Sequence, residues 1–242
     1  MLRDKRNIYE FDSRVRYSEI AHRGTMTLPA LVNYFQDCST FHSESVGLGM
    51  DRLKQKKKAW VLSYWQIIVD RYPGLCERIT TGTFATGFKG LFGSRNFYME
   101  DEEGRRIACA NSIWVFMDLE RGRPCRPAEE DIGPYGVNPP LDMPYEERKI
   151  SLPGAFEDRE PFPVRKYHID TNEHVNNSQY VQMALEMLPG DIRVRQVRVD
   201  YKKSAVLGDI IYPGVAAEPD RIVTELRDED KKPYAVVEMR TR

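Results

Sequence analysis

Two stretches of this chain run through the same order of elements, one on each side of a segment dense in proline. The first opens with "YEFDSRVRYSEI" from Tyr9, passes through the polar loop "AHRGTMTLP", and enters an amphipathic run from about Leu28 to Val46. The second opens with "FPVRKYHID" from Phe162, passes through "TNEHVNN", and enters a similar run from about Asn177 to Leu188. Leu28, Leu31, Phe35, Cys38 and Phe41 recur at helical three-or-four spacing, with Thr27 placed to cap the helix. In the second run Asn176 is the expected N-cap, Gln179 its partner, and Val175 and Tyr180 the hydrophobic staple.

Strand patterns follow each helix. "WVLSYWQIIVD" (60–70) is apolar on both alternating faces, which predicts burial on both sides, and "VRQVRVDYKKSAV" (194–206) is its weaker counterpart. Further strands are expected at 79–88, 92–100 and 106–118, and at 209–217, 220–227 and 234–241, with hairpin turns at "MEDEEGRR" and "LRDEDKKP". One helix against an antiparallel meander, twice over, is an α+β architecture in which each sheet buries one face on its helix. The other face is also apolar, so a second layer is expected to pack there. Gly82, Gly87, Gly90 and Gly93 do not have phosphate-loop spacing and read as bends and bulges in a curved sheet.

Nine of the fifteen prolines fall between residues 122 and 163. Proline lacks an N–H donor and disfavours helix in the residue before it, so this stretch reads as a connection over a surface. The expected organisation is a first domain at 1–125, a proline-rich linker at 126–158 and a second domain at 159–242.

With 30% charged residues and a net charge of -1, the whole chain gives no reason to expect nucleic-acid binding, and any electrostatic partner must be read from local patches. "MLRDKRNIYEFD" has no apolar core of signal-peptide length, and no apolar run approaches the ~18 residues of a membrane span. Cys38, Cys76, Cys109 and Cys125 are widely spaced and read as reduced thiols of a cytoplasmic protein without stable membrane association. No Cys or His pair has usual ligand spacing, so neither a metal nor another cofactor is expected.

The densest polar cluster is "DTNEHVNNSQYV" at 170–181, where a strand ends and a helix begins. From the residues alone, Asp170 and Asn172 fit an Asx turn and Asn176 and Asn177 a helix cap. The same segment resembles the D-x-N-x-H-V-N-N-x-x-Y motif of the acyl-acyl-carrier-protein (acyl-ACP) thioesterases, the fatty-acyl hydrolases of plants and bacteria. "AWVLSYWQI", "NYFQDCSTFHSESVGLG" and "GLFGSRNFYMEDEEGRRIACANSIWVFMDLERGRP" are also similar to that family, so the likeness covers most of residues 8 to 242. After "VDYKK" the family carries an acid, followed in plant members by a cysteine, where this chain has Ser204 and Ala205.

The resemblance implies a tandem, or double, hotdog fold, with each antiparallel sheet wrapped around a central helix. It implies hydrolysis of fatty acyl-ACP to free fatty acid and carrier, without a cofactor. Asp170, Asn172 and His174 become the expected catalytic side chains, with Ser204 and the helix residue Asp37 in support. His174 can take a proton from water. Asp170 can orient the imidazole or the water, or attack the carbonyl itself. Asn172 can hold the water or polarise the carbonyl. The N-terminus of the following helix offers N–H groups to an oxyanion. His22 and His42 read as structural, and some of the aromatics Phe35, Phe41, Trp60, Tyr64 and Trp65 are expected to line an acyl tunnel.

The basic runs Lys56, Lys57 and Lys58, and Arg195, Arg198 and Lys202 beside Arg193 and Lys203, fit either a solvated surface or docking of the acidic carrier protein. A homodimer is compatible with this reading. The rival readings are a hotdog acyl-CoA thioesterase and a non-catalytic acyl-binding protein, the second kept open by Ser204.

Overall fold

The computed structural model of the protein describes residues 7–188, 190 and 192–241. Residues 1–6 and 242, which the N-terminal reading and the outer domain limits include, lie outside the described residues. The chain forms two compact units that divide the proline-rich stretch between Tyr145 and Glu146. Tyr64–Val69, placed by the sequence pattern in the first domain, belong with the second unit.

The first unit contains strand β1 (Tyr9–Arg14), helices α1 (Leu28–Ser45) and α2 (Met50–Gln55), and the start of strand β2 (Lys58–Val69). It continues with β3 (Arg78–Lys89), β4 (Phe92–Glu100), β5 (Arg106–Asp118), the short β6 (Arg123–Pro124) and the single turn α3 (Glu129–Ile132). The sheet order is β1-β3-β4-β5-β2. Residues opposed across an antiparallel ladder share a face. Phe11 opposes Thr81, Thr83 opposes Phe97, and Ala85 opposes Arg95. This face meets α1: Phe35 packs on Phe97 with centroids 5.4 Å apart, and Phe11 touches Tyr34 and Phe41 at 6.0 and 5.4 Å. Leu31, Phe35 and Cys38 are fully buried, as their helical spacing requires. On the opposite face, Asn96 accepts hydrogen bonds from the Leu141 N–H and the Tyr145 hydroxyl, both at 3.0 Å, so the proline-rich stretch lies across it.

The second unit takes Tyr64–Val69 of β2 and adds β7 (Glu157–Asp158), β8 (Phe162–Pro163), α4 (Asn177–Glu186) and β9 (Gln196–Tyr201). Strands β10 (Ile210–Ala217), β11 (Ile222–Arg227) and β12 (Pro233–Arg240) complete it, in the order β2-β9-β12-β11-β10-β7. Helix α4 packs on β11 and β12. The fold class is α+β, with a hotdog arrangement in each unit, as expected.

The main strands and both long helices fall close to their expected limits. The basic run "RLKQKKK" instead starts inside α2, a six-residue helix that carries too few apolar positions to show a helical period. Strand β9 ends at Tyr201 rather than near 206, because Ala205 and Val206 leave the ladder for bonds to Tyr180 and Asp209. Two of the four glycines are bends, as read: β3 bulges between Ala85 and Gly87, and Gly90 turns the hairpin at φ +64°, while Gly82 and Gly93 pair in regular register. A Cβ on Gly82 would lie 2.1 Å from the Tyr98 ring.

One buried ion pair stands out in the second unit. Arg198 keeps 4% of its surface accessible and donates from Nε and Nη2 to Glu238 at 2.9 and 3.0 Å. It also donates to the Glu147 carbonyl at 2.9 Å, while Arg221 reaches the same Glu238 at 2.7 Å. Desolvation raises the Glu238 pKa, but the bonds from Arg198 and Arg221 outweigh it and hold the carboxyl below the ordinary glutamate range. Its stabilisation is therefore present above the unfolded-state value and is lost as pH falls through the lower folded value. Glu238→Ala strands Arg198 in the interior and is expected to lower stability by about 3–5 kcal/mol at neutral pH. Urea unfolding should show the loss shrinking below about pH 4, where the natural carboxyl is protonated in the unfolded chain. An unchanged midpoint would show that the pair contributes nothing.

Candidate functional site

The segment 164–176 is a tightly bonded turn. The Asp170 N–H donates to the His174 carbonyl at 2.8 Å, and the Glu173 N–H to the Asp170 carbonyl at 3.1 Å. Ile169 bridges to Val175, and Glu173 takes the left-handed conformation at φ +62°. Asp170 Oδ1 accepts the Asn172 N–H at 2.8 Å, so the Asx turn is real. Asp170 is half-buried, while Asn172 and His174 are exposed. His168, beneath them, is buried and accepts the Arg165 N–H through Nδ1 at 2.9 Å.

Asn176 is the N-cap of α4, as expected, but its partner is Ser178, whose N–H and hydroxyl bond to its Oδ1 at 2.9 and 3.0 Å. The Gln179 N–H goes to the Asn176 carbonyl at 2.9 Å. The cap thus consumes two helix-start donors that the sequence reading holds available for an oxyanion. This corrects that expectation.

The turn is anchored through Ala205. Its carbonyl accepts the Val175 N–H at 2.9 Å, and its N–H donates to the Tyr180 hydroxyl at 2.8 Å. Burial pushes the Tyr180 phenol up to about 12, so it remains a neutral hydroxyl. Tyr201 packs edge-on against Tyr180 at 5.8 Å and donates to the Asn177 carbonyl at 3.0 Å. Tyr180 is therefore more than the staple residue its spacing suggests; its buried polar end on an apolar helix face was the available signal. His174 bridges to Val206, and the exposed Ser204 sits one residue before the anchored Ala205. Backbone pairing thus brings Asp170, Asn172, His174 and Ser204 into one loop cluster.

The first unit builds the same turn. The Ala21 N–H donates to the Thr25 carbonyl at 3.2 Å, the Gly24 N–H to the Ala21 carbonyl at 2.8 Å, and Gly24 takes φ +70°. Ile20 bridges to Met26 and Thr25 to Gly74. The Met26 N–H donates to the Pro73 carbonyl at 2.8 Å, and Thr27 caps α1 through the Ala30 N–H at 3.2 Å. Where the second unit has Asp170, Asn172, His174 and Ser204, the first has Ala21, Arg23, Thr25 and Tyr72. The turn forms without those polar side chains. The position matching Tyr180 is Leu31, and the residue matching Ala205 is Pro73, which has no N–H to satisfy.

The other candidates lie elsewhere. Asp37 is exposed on α1, in the first unit. Lys56 pairs with Asp131 and, at 2.6 Å, with Glu130; Lys57 pairs with Glu120 at 2.5 Å and Lys58 with Asp118 at 2.7 Å. That run is therefore matched by acids rather than presented as positive charge. Arg198 is buried on Glu238, which removes it from the expected docking surface. Lys202 pairs with Asp200 at 2.5 Å and Lys203 with Asp228, while Arg195 is exposed with no ion pair among the described residues. Among the described residues no three His, Cys, Asp or Glu side chains converge in a metal-binding group, and no helix is long and apolar enough to cross a membrane. The four cysteines are free.

Comparison with known proteins identifies the class. The acyl-ACP thioesterase N-terminal domain matches residues 6–135 and the C-terminal domain of the same family matches residues 154–237. The chain belongs to the acyl-ACP thioesterase family. It is 27% identical to an acyl-[acyl-carrier-protein] hydrolase of Cuphea viscosissima, over 86% of this chain and 54% of that protein. It is also 27% identical to a palmitoyl-acyl carrier protein thioesterase of Arabidopsis thaliana, over 78% and 49%. The chain spans about half the length of these relatives. An acyl-ACP thioesterase structure from Bacteroides thetaiotaomicron shares the fold with a TM-score of 0.88 at 22% identity, covering 97% of each chain. The 12:0-ACP thioesterase from Umbellularia californica does so with a TM-score of 0.85 at 17% identity, covering 98% and 97%.

Removing the anchor tests the geometry. Tyr180→Phe leaves the Ala205 N–H buried without a partner and is expected to cost about 1–3 kcal/mol in urea unfolding. A variant as stable as the natural chain would mean that water reaches this N–H and that Tyr180 is no anchor.

Proposed function

We propose that this chain hydrolyses fatty acyl-ACP thioesters to free fatty acid and carrier protein, with Asp170, Asn172 and His174 as the catalytic side chains. The observation that carries the reading is the duplicated turn. Two loops share one backbone design, and only the second bears an acid, an amide and an imidazole at alternate positions; the first has His22 where the second has Thr171. Family membership supplies the substrate class.

Thioester hydrolysis needs an activated water and donors for the developing oxyanion; the thiolate leaves with little proton help. His174, exposed at the turn, takes the proton of the attacking water. Asp170 uses Oδ1 to hold the turn, which leaves Oδ2 to orient the imidazole or the water. The Asn172 carboxamide polarises the thioester carbonyl, a role made more important because the α4 cap occupies the Ser178 and Gln179 N–H groups. Ser204 holds a water or one hydrogen bond beside them. Asp37 is left out of the proposal.

Docking of the acidic carrier falls to Arg195, since Lys202 and the other expected cations are paired or buried. The cytoplasm is the proposed setting, supported by the free cysteines.

Asp170→Ala and His174→Ala are expected to lower kcat for acyl-ACP by roughly 10²–10⁴-fold, and Asn172→Ala by roughly 10²–10³-fold. All three should stay folded, because the first unit makes this turn without such side chains; a variant that unfolds marks its residue as structural. EDTA should leave the rate unchanged, and loss of activity restored by a divalent ion would contradict the proposal. Ser204→Ala should lose about 0.5–1.5 kcal/mol of transition-state stabilisation, and Ser204→Glu should keep turnover. Single-turnover hydrolysis seen only in the glutamate variant would instead favour the acyl-binding reading. Arg195→Glu should raise KM for acyl-ACP and leave a small thioester unaffected; equal KM values would remove Arg195 from docking.

A further inference from the structure

The loop after β9 carries Ser204 and Val206 to the turn that bears His174, yet it has little packing to hold it. Of residues 203–209 only Ala205 is buried; Asp209 is half-buried and the other five are exposed. Order in such a segment comes from its hydrogen bonds. The two Ala205 bonds fix its middle. Its end is tied to Val164, whose N–H donates to the Asp209 carbonyl at 2.8 Å and whose carbonyl accepts the Gly208 N–H at 3.3 Å. The remaining bonds converge on one residue of β12, Tyr234, which keeps 6% of its surface accessible.

Tyr234 meets the loop at both ends. Its carbonyl accepts the Lys202 and Lys203 N–H groups at 2.8 and 3.3 Å. Its ring centre lies 4.3 Å from the Lys203 ammonium, whose other partner is Asp228. Its hydroxyl donates to Asp209 Oδ2 at 3.0 Å. The same oxygen accepts the Val206 N–H at 3.0 Å, and Val206 bridges to His174. Burial and the Asp209 carboxylate push the Tyr234 phenol up, so it stays a neutral donor. A continuous path therefore runs from β12 to the turn: Tyr234 hydroxyl, Asp209 carboxylate, Val206 amide, His174 backbone.

The first unit has the same backbone and a different solution. The Asp70 and Arg71 N–H groups share the Ile107 carbonyl at 2.9 and 3.1 Å, which places Ile107 where the second unit has Tyr234. Ile107 has no hydroxyl to offer. Arg71 reaches both acids itself, Glu77 through two bonds at 2.9 and 2.6 Å and Asp101 at 3.2 Å. Asp101 and Asp228 match, each accepting the N–H four residues on, at 2.9 and 2.8 Å. Glu77 holds the Gly74 N–H at 2.8 Å, as Asp209 holds that of Val206. Lys203 has a single nitrogen and no fork, and it pairs with Asp228 alone. The Asp209 carboxylate meets only Val206 and Tyr234 among the described residues. The acid that a guanidinium fixes in the first unit is thus fixed by a phenol in the second.

We propose that Tyr234 is a positioning residue of the candidate site: by holding Asp209 it sets the Val206 amide, and through Val206 the placement of His174 against Ser204. The inference rests on the hydrolase reading, since it assigns a role within that site. Misplacing a reacting group by 1 Å costs about a hundredfold in rate, so a loosened loop lowers turnover more than it lowers stability.

The test compares the natural full chain with Tyr234→Phe and with a triple variant, Lys203→Arg, Asp209→Glu and Tyr234→Ile, which writes in the first unit's trio. The readouts are kcat and KM on acyl-ACP, Tm, and hydrogen exchange at the Val206 and Ala205 amides. Tyr234→Phe should stay folded and lower kcat roughly tenfold with KM unchanged. Its Val206 amide should exchange roughly threefold to tenfold faster, the worth of one hydrogen bond, while the Ala205 amide, held by Tyr180, should exchange as before. The triple variant should restore both the Val206 protection and most of kcat. Should Tyr234→Phe fail to fold, Asp209→Ala cuts the same path at a half-buried position and should give the same loss of kcat at constant KM. The inference is overturned by a Tyr234→Phe chain with natural kcat, whatever its Tm, by a loss that appears in KM alone, by a triple variant whose rate does not follow its Val206 protection, or by collapse of the fold in both Tyr234→Phe and Asp209→Ala. An inactive natural chain would defeat the hydrolase reading itself, and an active one with an unaffected Tyr234→Phe variant would defeat this inference alone.

Discussion

The candidate site depends on a pair of hydrogen bonds at one buried residue. Ala205 accepts from Val175 and donates to Tyr180, and so fixes the loop after β9 to both the polar turn and the helix behind it. Without that clamp Ser204 would have no defined place beside His174, and the turn would have no floor. The first unit shows what the clamp is for. It keeps the carbonyl half, at Pro73, and lacks the amide half, because proline has no N–H. The helix position that would answer that N–H is accordingly Leu31, fully buried, where the second unit has Tyr180. The two units thus satisfy the same backbone by different side chains, each consistent with its own donor count.

That comparison separates what the turn requires from the side chains proposed for the chemistry. Residues that the turn requires recur in both units in kind: a cap at Thr27 and Asn176, and a left-handed residue at Gly24 and Glu173. A carboxylate also steadies the following loop in each, with Glu77 accepting from the Gly74 N–H and Asp209 from the Val206 N–H. Residues 170, 172 and 174 do not recur in kind. Left-handed backbone at a non-glycine residue is a local cost, of order 1 kcal/mol, which the second unit carries at Glu173 in the turn and the first at Cys76 in the following loop. The two interiors differ as well: Arg198 pairs with the Glu238 carboxylate in one, while Arg95 donates to the His42 ring and the Thr83 hydroxyl in the other.

Much of the fold was legible in the sequence, because strand alternation and the spacing of Leu31, Phe35 and Cys38 report directly on burial. The cap at Asn176 was legible for the same local reason. Helix α2 was not, since its six residues, four of them polar, carry no period. The sharing of β2 between units was not, because nine of its twelve residues are apolar, on both faces, and give no sign of where one partner strand ends and the next begins. Charge was the least legible property. Lys56, Lys57 and Lys58 read as a patch, yet their acids come from 118 to 131, more than fifty positions away. Arg198 reads as surface because its partner, Glu238, lies on another strand. The motif at 170–174 was visible as a cluster, but the Asx turn and the chemical reading predict the same local pattern. The first unit's copy of the turn, which lacks those side chains, supports the proposed chemical reading without being needed for the Asx turn.

The most direct measurement writes the first unit's residues into the second: Asp170→Ala, Asn172→Arg and His174→Thr in one chain. The account predicts a protein with unchanged secondary structure, a stability within about 1 kcal/mol of the natural chain, and single-turnover hydrolysis of acyl-ACP lowered at least about a hundredfold. A variant that hydrolyses acyl-ACP at the natural rate, or one that cannot fold, would show that these three side chains serve the turn and that the chemistry lies elsewhere.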